Sequence, residues 1–184
     1  MKDHTKGFTL IELLVVIVII AAVGLFVLVS APEQNNARNL SVAAQEIAAT
    51  LRQAESNTLA GDEIGGAQGF WGVAFSNATD TQPFLRLFYA TSSSALASGT
   101  VQEGYASLPA QVAYATSSIP SGGVLYVYYS NGSIPGLGAQ GAYASCVGFT
   151  CPATTTMTIG LMTMSGVPAL TSTIVVAPTG EVSY

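Results

Sequence analysis

One stretch constrains this chain more than any other. From Leu13 to Val29 it runs LLVVIVIIAAVGLFVLV without a polar residue. Seventeen residues is the lower limit for a helix that spans a bilayer. Widened to residues 8–32, the stretch holds a single charge, Glu12. At ~1.5 Å per residue it is about 37 Å long, enough to cross a hydrocarbon core of about 30 Å. Lys2 and Lys6 precede it, and no lysine follows. The positive-inside bias therefore predicts a cytoplasmic N-terminus, with everything after Pro32 on the far side. A secretory signal peptide has a shorter apolar core and a small-residue cleavage site behind it. Here Val29-Ser30-Ala31 is followed directly by Pro32, a poor site. A plain signal anchor fits the hydropathy but leaves Glu12 unexplained. A carboxylate at membrane depth costs at least about 2.5 kcal/mol, which marks it as a functional residue.

The segment Lys6-Gly7-Phe8-Thr9-Leu10-Ile11-Glu12, directly ahead of the run, resembles the processing site of type IV prepilins and type II secretion pseudopilins. That pattern is a short basic leader ending in Gly, then Phe, then Thr-Leu-Ile-Glu, then an apolar helix. The resemblance implies cleavage between Gly7 and Phe8 by a membrane prepilin peptidase, and N-methylation of Phe8. It implies a pilin fold: α+β, a long N-terminal helix with an apolar membrane half and an amphipathic half packed on an antiparallel β-sheet head. After cleavage Glu12 is the fifth residue, one turn from the new amine. A carboxylate in an apolar filament core needs a cationic partner, and family precedent supplies the amine of the neighbouring subunit. Such a pair would fix the register of subunits whose other contacts are apolar.

Beyond the run, Pro32 either ends the membrane helix or kinks or locally melts a longer one. Continuation is favoured, because Leu40, Ala44, Ile47, Ala48, Leu51, Ala54, Thr58 and Leu59 form a one-sided stripe. Arg38, Glu46, Arg52 and Glu55 lie off it, and Gly61 supplies a stop. The chain thus divides into a leader (1–7), a helix (8–60, membrane part about 8–31) and an extracytoplasmic β-rich head (61–184). In the head the period falls to two. Strands are expected at Phe70–Phe75, Phe84–Ala90, Gln111–Thr116, Val124–Tyr129, Thr156–Met162, Ser172–Ala177 and Glu181–Tyr184. Ser130-Asn131-Gly132 and Pro178-Thr179-Gly180 are turn signals, the second closing a hairpin. Residues 132–152, with five glycines and both cysteines, read as a long loop. The segment Gly69-Phe70-Trp71-Gly72-Val73-Ala74-Phe75, the helix stretch Ala43–Leu59 and the closing Ile174–Val182 are similar to the minor pseudopilin GspH/FimT group.

Composition narrows the function classes. Charged residues are 8% of the chain and hydrophobic residues 49%, the opposite of a disordered composition. From Phe8 onward three arginines face nine acids, a balance of −6. Nucleic-acid binding draws on clustered Lys and Arg, and there is no cluster. Cys146 and Cys151 lack the spacing of a zinc site; outside the cytoplasm a local disulfide and two free thiols both fit. The single histidine, His4, falls in the leader, so the head holds no Ser-His-Asp triad and no histidine metal site. Asp62-Glu63 fits a solvated turn better than a metal site, and Asp80 and Glu103 could bind calcium only with carbonyl help. Tyr105, Tyr114, Tyr126, Tyr128 and Tyr129 suit a core better than a sticky surface. Asn39, Asn77 and Asn131 open Asn-x-Ser/Thr sequons of the kind that are usually idle. No enzyme, cofactor or metal is therefore expected. The expected function is structural: a filament subunit at the bacterial inner membrane, with the head periplasmic or extracellular. A minor pseudopilin of a type II secretion system is the first reading. A type IV pilin of a surface pilus for adhesion, motility or DNA uptake is the second, and a membrane-anchored receptor or enzyme domain a remote third. Partners would be the prepilin peptidase, other pilin or pseudopilin subunits and the inner membrane, without nucleic acid.

Overall fold

The computed structural model describes residues 9–64, 66–77, 84–98, 100–101, 106–133, 137–151, 156–164 and 169–184. Within these, the side chains of residues 25–33, 84, 95, 97, 98, 100, 101 and 106 are set aside. One helix, α1 (Leu10–Ala60), comes first. The backbone stays helical through Pro32, so the proline causes no local melting. The chain divides between Asn35 and Asn36 into two compact units, and α1 contributes to both. In the first unit the large apolar side chains from Leu10 to Val23 are exposed. Among the described residues no helix is long and apolar enough to cross a membrane. The described side chains of the apolar run stop at Gly24, and residues 25–31 of the expected span lie outside them.

The second unit is α+β. Leu40, Ala43, Ala44, Ile47, Ala48, Leu51 and Ala54 are buried along one side of α1, and Thr58 extends that line. Leu59, expected on the stripe, is 50% exposed; one step round the helix from Thr58 carries it past the edge of the face. The helix ends in a Schellman motif. Gly61 takes φ +71°, its N–H donates to Thr58 O, and Asp62 N–H donates to Asn57 O. Thr58 then joins the helix to the sheet. Its Oγ1 donates to Ala54 O at 2.9 Å and accepts from Trp71 N at 3.0 Å. Trp71 Nε1 donates to Asp62 O at 2.9 Å, and the Trp71 ring meets Tyr89 edge-on at 5.4 Å.

The strands are β1 (Phe70–Ser76), β2 (Phe84–Ala90), β3 (Thr100–Val101), β4 (Ala106–Ser107), β5 (Val112–Tyr114), β6 (Val124–Ser130), β7 (Gly141–Val147), β8 (Met157–Thr163), β9 (Thr171–Val176) and β10 (Val182–Ser183). They form two sheets, not one. The larger has the order β3-β2-β1-β6-β7, with β4 also on β2; the smaller has β10-β9-β8-β5. Their pairings are antiparallel. The Pro178-Thr179-Gly180 turn closes the β9–β10 hairpin as expected, with Ala177 N–H donating to Glu181 O. The long-loop reading of residues 132–152 needs correction, because β7 lies inside it and pairs with the whole of β6, from Val124↔Val147 to Ser130↔Gly141.

One core joins the helix stripe to the inner faces of both sheets: Val73, Phe75, Leu87 and Val127 from the larger, Ile159, Leu161, Ile174 and Val176 from the smaller. The larger sheet also buries its other face. Phe70, Ala74, Phe88, Tyr126 and Tyr128 pack there with Leu96, from a short 3-10 helix (Ser93–Ser98), and Leu137. All seven residues of β1 are therefore buried. Gly72 permits this density: a Cβ on it would fall 2.6 Å from Val127 O and 2.7 Å from the Phe88 ring.

Candidate processing and assembly site

Two residues three places apart build the helix start. Thr9 is the N-cap and Glu12 the third helical residue. The Glu12 carboxylate accepts from Thr9 N–H and from Thr9 Oγ1, each at 3.0 Å. Glu12 N–H donates back to Thr9 Oγ1 at 3.3 Å. This is a capping box, which satisfies donors that the first helical turn leaves orphaned. The acid also complements the positive end of the helix dipole. Glu12 is exposed beside Ile11, Val15 and Val16, a lone carboxylate on an apolar surface. The sequence signal for this cap is Thr-x-x-Glu ahead of an apolar run, a second role for Glu12 beside that of a neighbour's partner.

Of the other expected site residues, Gly7 and Phe8 lie outside the described residues, as do Lys2, His4 and Lys6. Cys146 and Cys151 are joined by a disulfide with 5.4 Å between their Cα atoms. Cys146 is on β7 opposite Leu125, and both sulfur-bearing residues and Phe149 pack against the main core. The disulfide belongs to the second unit and Glu12 to the first.

The remaining candidates resolve individually. Asp62 and Glu63 are exposed at the helix stop, and among the described residues no group of three or more His, Cys, Asp or Glu could hold a metal ion. Asp80, Glu103 and Tyr105 lie outside the described residues. Tyr114, Tyr126, Tyr128 and Tyr129 are buried, and burial pushes the phenols of Tyr114, Tyr128 and Tyr129 upward. The three sequon asparagines use their side-chain amides internally: Asn39 donates to Ala110 O, Asn77 to Ile119 O and Asn131 to Thr58 O. An amide engaged in this way is a poor acceptor for a glycan. Arg52 donates to Val182 O at 3.0 Å and lies over the Tyr184 ring, fastening β10 to the helix. Nothing in the sequence pointed to that tie.

Comparison with known proteins bears on the helix start. Residues 2–28 match the prokaryotic N-terminal methylation motif. The match supports a type IV pilin-like or pseudopilin subunit, with processing by a prepilin peptidase and assembly with other pilin subunits. No curated protein and no solved structure matches the chain.

Proposed function

We propose that this chain is a structural subunit of a membrane-assembled, pilus-like filament, specifically a minor pseudopilin of the GspH/FimT type in a type II secretion system. The observation that carries the reading is the methylation motif at residues 2–28, set on the start of a helix whose apolar side chains from Leu10 to Val23 are exposed. Exposed apolar surface on that scale requires a lipid or protein partner. Residues 1–7 are then a leader, residues 8–31 cross the inner membrane before assembly, and the β-rich head lies outside the cytoplasm. Glu12 pairs with a neighbour's N-terminal amine once subunits stack. The role is structural, not enzymatic.

Intact mass and N-terminal sequencing of membrane-purified protein test the processing. A mature chain that begins at methylated Phe8 is the expected result; one that begins at Met1 or after Ala31 overturns it. A DNA-uptake pilus is separated by mobility shift. The only Lys or Arg from Gly61 onward is Arg86. It is half-buried, and its Nε has no hydrogen-bond partner among the described residues. One such group cannot neutralise several phosphates. No binding to random duplex at ~0.15 M salt is expected; micromolar binding with a steep salt slope would move the protein to an uptake pilus.

A further inference from the structure

The head carries a groove of about 610 Å³ over the outer face of the smaller sheet, within the range of small-molecule clefts. Its lining is chemically unusual. Eight of its thirteen described lining residues are Ser or Thr, none of the thirteen is ionisable, and Phe149 from the disulfide-closed loop stands in the wall. β8 and β9 set the floor. Gly160 lies opposite Thr173 and Met162 opposite Thr171, so Thr158, Thr171 and Thr173 share the outward face. All three are exposed, as are Ser117 and Thr150. The hydroxyls of these five make no hydrogen bond among the described residues. Ser118 is different: its Oγ donates to Ala115 O at 2.9 Å and accepts from Gly160 N–H at 3.1 Å, which fixes the wall to the floor.

We propose that this groove binds a neutral saccharide. A sugar presents hydroxyls that must both donate and accept, and Ser and Thr hydroxyls do both without a charge to desolvate. A sugar ring also presents an apolar C–H face, which an aromatic side chain such as Phe149 covers. Among the described lining residues there is no Lys, Arg, Asp or Glu to favour an ionic ligand. The disulfide holds Phe149 in place by closing its loop against the core. The lining residues all belong to the second unit.

Saturation-transfer NMR on the full chain, in a sugar-free zwitterionic detergent, tests it. The probes are maltohexaose, mannohexaose, xylohexaose and chitohexaose at millimolar concentration, with hexagalacturonate as the acidic counterpart. Transfer to at least one neutral hexasaccharide is expected. Phe149→Ala should weaken that binding tenfold or more. Thr158→Lys, at an exposed position, should do the same without touching the core, with Trp71 fluorescence confirming that both variants are folded. No transfer to any neutral probe would overturn the proposal. So would unchanged transfer in Thr158→Lys, or tighter binding of hexagalacturonate than of every neutral probe.

Discussion

Glu12 has two partners on this reading, one within its own chain and one in a neighbour, and three variants separate them. Thr9→Ala removes the cap and leaves the charge. Glu12→Gln removes the charge and leaves an amide that still serves at the third position of a capping box. Glu12→Ala removes both. The cap consists of the reciprocal bonds between Thr9 and Glu12 at 3.0 to 3.3 Å. Loss of such a cap costs about 1 kcal/mol, roughly a fivefold effect on a contact that depends on the helix start. Leaving the neighbour's amine buried without its carboxylate costs about 3–5 kcal/mol. At 1.4 kcal/mol per tenfold, that is roughly a hundred- to several-thousand-fold weaker contact. None of the changes adds a charge, so membrane insertion should be preserved. The assay is sheared-filament yield relative to total membrane-bound protein, with intact mass to establish that each variant is processed. Thr9→Ala should assemble within several-fold of the parent, while Glu12→Gln and Glu12→Ala should both fail. Normal assembly of Glu12→Gln beside failure of Thr9→Ala would refute the register role and leave Glu12 as a cap alone.

Four further outcomes follow from the head. Leu51 is fully buried in the core that joins helix and sheets, so Leu51→Asp should unfold the head, because the loss of packing alone costs about 2–5 kcal/mol and the carboxylate gains no partner; the single Trp71 gives a fluorescence melt, and an unchanged midpoint would show the stripe to be exposed. Gly72→Val should destabilise by several kcal/mol, since its Cβ meets Val127 O and the Phe88 ring at under 3 Å, whereas a wild-type denaturation midpoint would mean that β1 and β6 can separate at no cost. The Tyr129 hydroxyl is buried with no hydrogen-bond partner among the described residues, so Tyr129→Phe should be neutral or stabilising by about 1 kcal/mol. Tyr114 and Tyr129 have folded pKa values raised above the ordinary 10.0 by burial; their neutral forms therefore support the fold below that value, and stability should fall as pH rises above it, less steeply in Tyr129→Phe.

Much of this fold is legible in the sequence because its periodicities are strong. The α1 stripe at three- and four-residue steps and the Val-, Tyr- and Phe-rich strands carry their burial in their composition. β7 does not. Its residues, GAYASCV, are mostly small, five of the seven are half-buried, and it stands at the edge of the sheet, so neither an apolar alternation nor a β-branched run marks it. β3 and β4 are two residues each, too short for any period. That the strands sort into two sheets depends on pairings such as Val112↔Thr163, between segments far apart in the chain, and no local signal encodes those. At the helix start, the capping box of Thr9 and Glu12 shares its residues with the processing motif, and the stronger signal hides the weaker. The groove beside Phe149 is not legible in the sequence, since its walls come from β8, β9, the turn after β5 and the disulfide loop together.

The tie between Arg52 and Val182 spans 130 positions of the chain, and most of the described residues that share a core with the apolar stripe lie from Trp71 onward. Synthesis therefore imposes a waiting time. At roughly 5–20 residues per second, the stripe leaves the ribosome on the order of ten seconds before its last contacts exist. For that interval Leu40, Ile47 and Leu51 have no sheet to cover them, and the cell must shield an amphipathic helix from other apolar surfaces until β10 arrives.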